Sequence, residues 1–116
     1  MTKKISALLI VLTLLGTNLS FAQAAAKLDN VQVYPNPCVF SKGHNQVSFD
    51  NLTEAVNIKI FTMKGKLVAE LDAANSGGKV NWDVTNNSGE RLGSGLYLYL
   101  ITNHDEKVKG KLAIIR

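Results

Sequence analysis

Apolar and polar residues alternate with a period of two through most of the chain, and this pattern constrains the fold more than any other feature. The clearest run is residues 56–62, where polar side chains separate Val56, Ile58 and Ile60. A period of two places apolar side chains on one face of a β-strand. After residue 26, no stretch shows the period of about 3.6 residues that marks an amphipathic helix. The alternation therefore predicts an all-β domain.

Turn residues divide this pattern into about seven short strands, a spacing typical of a β-sandwich. The turns fall at 63–66, 75–78 and 85–89. The predicted strands are Val31–Tyr34, Val47–Phe49, Val56–Thr62, Leu67–Leu71, Lys79–Trp82, Leu96–Ile101 and Val108–Ile115. The run from Leu96 is apolar on both faces, so we expect it to be central, with its leucines toward one layer and its tyrosines toward the other. The predicted fold is an immunoglobulin-like antiparallel β-sandwich with Trp82 in its core.

The first 24 residues have the three-part layout of a secretory signal peptide. Lys3 and Lys4 precede an apolar run at 5–15, which is shorter than the about 20 residues of a membrane-spanning helix. Small residues follow, so we expect cleavage after Ala24 or after Ala22. The alternative, a buried amphipathic helix, lacks a polar face.

These observations predict a cleavable helical signal peptide at 1–24, a linker at 25–29 and one domain at 30–116. They also predict export through the inner membrane, with no integral membrane segment after signal removal.

Composition argues against several functional classes. A single cysteine excludes an intramolecular disulfide and a multi-cysteine zinc site. Cys38 is expected to be a small buried hydrophobic residue, with a reactive or dimer-forming thiol as the alternative. The formal net charge of +4 is small and is not concentrated in a basic run, which argues against nucleic acid as a partner. Neither glycine-rich nucleotide-binding motif is present.

Candidate catalytic groups are sparse, so no enzyme, cofactor-binding residue or metal ligand is predicted. His44 and His104 lie in polar segments and are expected to be solvated loop residues. Oxygen-bearing side chains between residues 83 and 90 suggest calcium, but their spacing departs from the EF-hand pattern, and a polar turn is the preferred interpretation. The alternating lysines at 107–111 are interpreted as a solvated outer face, with an electrostatic docking strip as the alternative.

The order of short motifs in residues 30–116 resembles the type A C-terminal sorting domain of the bacterial type IX secretion system. The motifs that carry the resemblance are Val33–Pro37 (VYPNP), Gly65–Val68 (GKLV), Trp82–Asp83, Ser94–Tyr97 (SGLY) and Gly110–Arg116 (GKLAIIR). The complete series is more specific than any one of its members. The immunoglobulin-like domain of flagellar hook-capping proteins shares the second half of the series.

The resemblance implies a non-catalytic sandwich that folds in the periplasm, is bound by the outer-membrane translocon and reaches the cell surface or the medium. It implies that the machinery reads the final strand and the segment around Gly95. The residues carried over as recognition residues are Tyr34, Pro35, Asn36, Pro37, Gly95, Tyr97, Lys111 and Arg116.

Two hypotheses about function remain, because family domains usually end a long cargo protein and only 25–29 separates the predicted signal peptide from this domain. In the first, the chain is a sorting-type domain that the type IX machinery recognises, here without cargo. In the second, it is a free-standing immunoglobulin-like module that binds an envelope protein by adding a strand to an exposed sheet edge.

Overall fold

The computed structural model describes residues 27–74 and 76–116, so the predicted signal peptide lies outside the described residues. The described residues form eight β-strands and a short 3₁₀ turn at Phe40–Lys42. The strands are β1 (Gln32–Tyr34), β2 (Cys38–Val39), β3 (Val47–Asp50), β4 (Ala55–Thr62), β5 (Leu67–Ala74), β6 (Val80–Trp82), β7 (Gly95–Thr102) and β8 (Lys107–Ile115).

The strands form two sheets that enclose one hydrophobic core. The smaller sheet has the order β1-β3-β6 and the larger has the order β2-β8-β7-β4-β5. All neighbours are antiparallel except β2 and β8, which run parallel. This architecture confirms the predicted immunoglobulin-like β-sandwich. The strand missing from the prediction is β2, whose two residues are too few to show a periodic pattern.

The hairpin of β4 and β5 follows directly from the alternation in the sequence. Val56, Ile58 and Ile60 are buried, and the polar residues between them point away from the core. Gly65 closes the turn with φ of +92°, a backbone conformation that glycine adopts without a steric cost. The predicted strand–turn–strand at 56–71 is therefore confirmed.

Strand β7 is central in the larger sheet, between β8 and β4, as predicted. Tyr97 and Ile101 are buried on its inner side, and the Tyr99 ring meets Phe49 of the smaller sheet edge to face at 5.9 Å. The leucines of β7 point to the opposite side, which we call the outer face. Leu96 is 43% exposed there, so within the described residues no further layer covers it.

The core contains Trp82, as predicted, and its indole N–H donates to the carbonyl of Thr85 at 3.0 Å. Cys38 is fully buried, which confirms the expectation of a small hydrophobic residue, and burial raises the pKa of its thiol.

Leu28, in the predicted linker, is also buried, and its N–H donates to the Glu106 carboxylate at 3.1 Å. Ordered packing therefore includes Leu28. Among the described residues, no helix has the length and apolar character needed to cross a membrane.

Candidate recognition site around the C-terminal strand

The Tyr34–Pro37 segment carries the chain from one sheet to the other. Strand β1 pairs with β3 in the smaller sheet, and β2 begins directly after Pro37 in the larger sheet. Because proline has no N–H to donate to a ladder, Pro35 and Pro37 end the first pairing and let the chain cross the edge of the sandwich. Both prolines follow cis peptide bonds. The crossing places Asn36 beside the last half of β8.

The side chain of Asn36 hydrogen bonds to the main chain of β8 at two points. Its Nδ2 donates to the carbonyl of Lys111 at 2.9 Å, and the N–H of Ala113 donates to its Oδ1 at 3.1 Å. The amide thus takes the place that a neighbouring strand would occupy. The ladder then continues with Cys38 opposite Ile114.

The SGLY segment holds the same part of β8 from the other side. The N–H of Arg116 donates to the hydroxyl of Ser94 at 2.9 Å. Gly95 pairs with Ile114 and Tyr97 with Leu112. The side chain of Asn36 thus bonds the main chain of β8, and the side chain of Ser94 bonds the main chain of Arg116. We call these hydrogen bonds together the β8 clasp.

Tyr97 has a structural position within this segment. Its side chain is buried, and its hydroxyl donates to the carbonyl of Gly93 at 2.8 Å. A tyrosine that bonds back to the backbone just before its own strand is a recurrent corner in immunoglobulin-like sandwiches. Tyr97 therefore fixes where β7 begins, and its ring is not presented to a partner.

Most of the predicted recognition residues gather around β8, but Tyr34 does not join them. Its hydroxyl donates to a carboxylate oxygen of Asp50 at 3.0 Å, and the Lys79 ammonium lies 5.7 Å from the ring centroid. The backbone N–H of Asn51 and, secondarily, the Tyr34 hydroxyl lower the pKa of the Asp50 carboxyl. Tyr34 is 39% exposed on the smaller sheet.

Gly110 is required by the side chain opposite it. It pairs with Tyr99 across the β7–β8 ladder, and a β-carbon at this position would lie 2.5 Å from Cζ of the Tyr99 ring. Only the absence of a side chain lets the ring lie over the strand. The sequence shows that Gly110 belongs to the final motif, but it does not show that Tyr99 faces this glycine across the sheet.

Asn87, one of the oxygen-bearing residues that suggest calcium, instead closes the other edge of the larger sheet, a role that the sequence does not predict. The N–H of Asn87 donates to the carbonyl of Val68 at 3.2 Å, and the N–H of Glu70 donates to the Asn87 Oδ1 at 3.0 Å. The turn composition indicated a polar loop. No local pattern in the sequence connects that loop with β5.

The other polar candidates have local structural partners. Nδ1 of His44 accepts the N–H of Val39 at 3.0 Å, whereas His104 is exposed. In the turn at 83–90, Oδ1 of Asn86 accepts the N–H groups of Ser88 and Glu90. Across 27–74 and 76–116, no three His, Cys, Asp or Glu side chains lie close enough together to hold a metal ion.

The sandwich and its clasped final strand define a small immunoglobulin-like domain. Residues 32–115 match the family described as the secretion system C-terminal sorting domain, and the chain belongs to this family. No curated protein sequence matches the chain.

Two solved structures are similar to this one. PorZ of Porphyromonas gingivalis, described as an essential bacterial surface component of the type-IX secretion system, matches 81% of this chain with a TM-score of 0.67 and 26% identity. Dimeric latent PorU from the same organism matches 73% with a TM-score of 0.51 and 20% identity, a likeness of fold alone. This chain spans only 13% of the PorZ chain and 9% of the PorU chain.

Proposed function

We propose that the chain is an exported, non-enzymatic domain that the type IX secretion machinery reads as an outer-membrane sorting signal. Membership of the sorting-domain family supports this role. The observation that carries the proposal is the β8 clasp, because two motifs far apart in the sequence meet at one terminal strand. In this proposal the domain folds in the periplasm and then moves to the cell surface or the medium.

The clasp orders the end of the chain before any partner binds. Its hydrogen bonds hold the backbone extended, while the side chains of Lys111 and Arg116 stay exposed. A partner that reads an already extended strand does not bear the entropic cost of ordering it, which is about 1–2 kcal/mol per residue. We propose that the translocon contacts these two cationic side chains and the surface around Gly95.

The proposal is tested by fractionating a bacterium that has a type IX system and expresses the full chain. We expect the unchanged protein in the surface or medium fraction and a version ending at Lys109 in the periplasm. Because that truncation removes strand residues, the paired change Lys111→Glu with Arg116→Glu is the sharper test. Lys64→Glu with Lys66→Glu is the matched control, since it makes the same charge change in the exposed β4–β5 turn.

Circular dichroism melts establish that each retained variant is folded. Periplasmic retention of the β8 pair together with normal export of the control pair supports recognition at the terminal strand. If the unchanged protein and every variant stay in the periplasm, the sorting role is wrong. A free-standing module that binds an envelope protein is then the better explanation.

A further inference from the structure

The outer face of the larger sheet carries ordered rows of side chains. The strand registers place cross-strand neighbours side by side, so each row runs from β5 through β4 and β7 to β8. One row is Glu70, Lys59, Leu100 and Lys109, and the next is Asp72, Asn57, Thr102 and Lys107. Each row therefore begins with a carboxylate on one edge and ends with a lysine on the other.

Beside Lys59, the middle of this face has an open apolar groove. Phe61, Leu98 and Leu100 line a groove of about 480 Å³ beside the Lys109–Lys111 segment. Toward the end of the sheet where β8 finishes, Leu96 and Ile115 are 43% and 46% exposed. An apolar patch rimmed by charged residues is a usual sign of an interaction surface.

Within the described residues, the four charged side chains at the rim form no ion pair with one another or with a neighbour. Lys107, Lys109, Glu70 and Asp72 are all exposed. In the part of the chain that the structure describes, the one contact between side chains that can carry opposite charges joins His104 Nε2 to an Asp105 carboxylate oxygen at 4.0 Å, in the β7–β8 loop. Glu70 accepts a hydrogen bond from the Asn57 amide at 2.8 Å and lies across the β4–β5 ladder from Lys59, with which it forms no ion pair.

We propose that the outer face is the interface of a symmetric dimer of this chain. A two-fold axis that runs parallel to the strands, between two facing sheets, lays β8 of one copy over β5 of the other. This rotation reverses the order of the strands but keeps each row at the same height along them. Lys109 therefore faces Glu70 of the second copy, and Lys107 faces Asp72 of the second copy. Each pair occurs twice, because the same patch serves both copies. The apolar groove meets its own counterpart in the middle.

The charge pattern favours a second copy over other occupants. An acidic protein segment or an anionic membrane would be attracted by the lysines and repelled by Glu70 and Asp72 on the same face. A surface with the reversed order of charges is complementary to these four rim groups, and the two-fold axis supplies that surface, with Lys59 lying opposite Leu100 of the second copy.

The size of the face indicates a weak dimer. Four strands about 4.8 Å apart and about eight residues long cover roughly 500 Å² per copy, or roughly 1,000 Å² in total. That total is at the low end of specific interfaces, so we expect the dimer at high protein concentration.

Sedimentation equilibrium of the purified exported protein tests the proposal by charge reversal. Lys109→Glu places carboxylates opposite each other at two symmetric positions, and we expect dimerisation to weaken by about tenfold or more. Glu70→Lys places two positive charges opposite each other and is expected to weaken dimerisation to a similar extent. The double variant restores dimerisation to near the original level, because the new carboxylate at position 109 then faces the new lysine at position 70 of the second copy. Lys66→Glu, in the exposed β4–β5 turn, is the control and leaves the equilibrium unchanged.

Three results would overturn the proposal. A protein that stays monomeric up to about 1 mM, a concentration at which even binding of about −4 kcal/mol is detected, does not use this face. A dimer that tolerates Lys109→Glu has its interface elsewhere. Loss of dimerisation in both single variants without recovery in the double variant shows that the two residues do not face each other. Circular dichroism melts keep misfolding separate from each of these results.

Discussion

The side-chain amide of Asn36 donates to the main-chain carbonyl of Lys111, although 75 residues separate them in the sequence. Asn87 makes the equivalent kind of contact at the opposite edge of the same sheet, where it bonds the main chain of Val68 and Glu70. Unpaired sheet edges are templates for unwanted pairing with other chains. One asparagine satisfies main-chain groups at each edge without adding a strand: Asn36 does so with its side-chain amide, and Asn87 with its backbone N–H and its Oδ1.

Replacing Asn36 with alanine removes both of its hydrogen bonds to β8. Because the freed groups of Lys111 and Ala113 return partly to water, we expect the free energy of unfolding to fall by about 1–2 kcal/mol. Urea denaturation measures the change. Asn45→Ala is the matched control, since Asn45 is an exposed loop residue, and it is expected to change stability by less than about 0.5 kcal/mol. Equal effects of the two variants would contradict the clasp.

Gly110→Ala forces a β-carbon into the Tyr99 ring. We expect a loss of about 1–3 kcal/mol in stability, the usual cost of overpacking. Gly93→Ala is the control, because open space surrounds that position, and its stability should stay the same or rise by up to about 1 kcal/mol. Thermal unfolding of the two variants compares them directly. A further test is Tyr99→Leu, which should relieve most of the cost of Gly110→Ala in the double variant.

Tyr97→Phe removes only the hydroxyl that bonds the carbonyl of Gly93. The expected loss is about 0.5–1.5 kcal/mol, which chemical denaturation resolves. Tyr99→Phe serves as the comparison, since this residue packs through its ring against Phe49. A larger effect at Tyr99 than at Tyr97 would show that the hydroxyl at the start of β7 does not fix the corner.

Asp50 makes stability depend on acidity, and Tyr34→Phe reduces that dependence. The folded protein lowers the pKa of this carboxyl, so its contribution is present above the unfolded-state pKa and is lost as pH falls through the folded-state pKa. Without the Tyr34 hydroxyl, we expect the pKa of Asp50 to rise toward its ordinary value. Carboxyl NMR titration measures the shift, and Tyr99→Phe on the other sheet is the control. An unchanged titration would mean that the Tyr34 hydroxyl does not contribute, and that the backbone N–H of Asn51 and the charge of Lys79 lower the pKa.

Local patterns in the sequence account for most of the strands, because alternation and turn chemistry act over a few neighbouring residues. Val56, Ile58 and Ile60 are buried as their period predicts, and Gly65 closes the predicted turn. The alternation in β7 placed its leucines and tyrosines on opposite faces. Patterns of this kind do not say which other strand lies beside a given one.

The contacts of the candidate site depend on that missing information. The prolines at 35 and 37 predicted the end of β1, but not that the chain crosses to the other sheet and pairs in parallel with β8. The contacts of Asn36 and Asn87 become visible only once distant strands are assembled. Leu28 was assigned to a linker because a single apolar residue among polar ones carries no periodic signal.

The parallel pairing of β2 with β8 determines how the domain responds to mechanical tension. Segments near the two ends of the described chain run side by side in the same direction, joined at Glu106, at Lys111 and along β2. When Leu28 and Arg116 are pulled apart, these bonds are loaded together in shear and do not open one after another. We therefore expect the domain to resist force applied between Leu28 and Arg116 better than force that peels β8 away sideways.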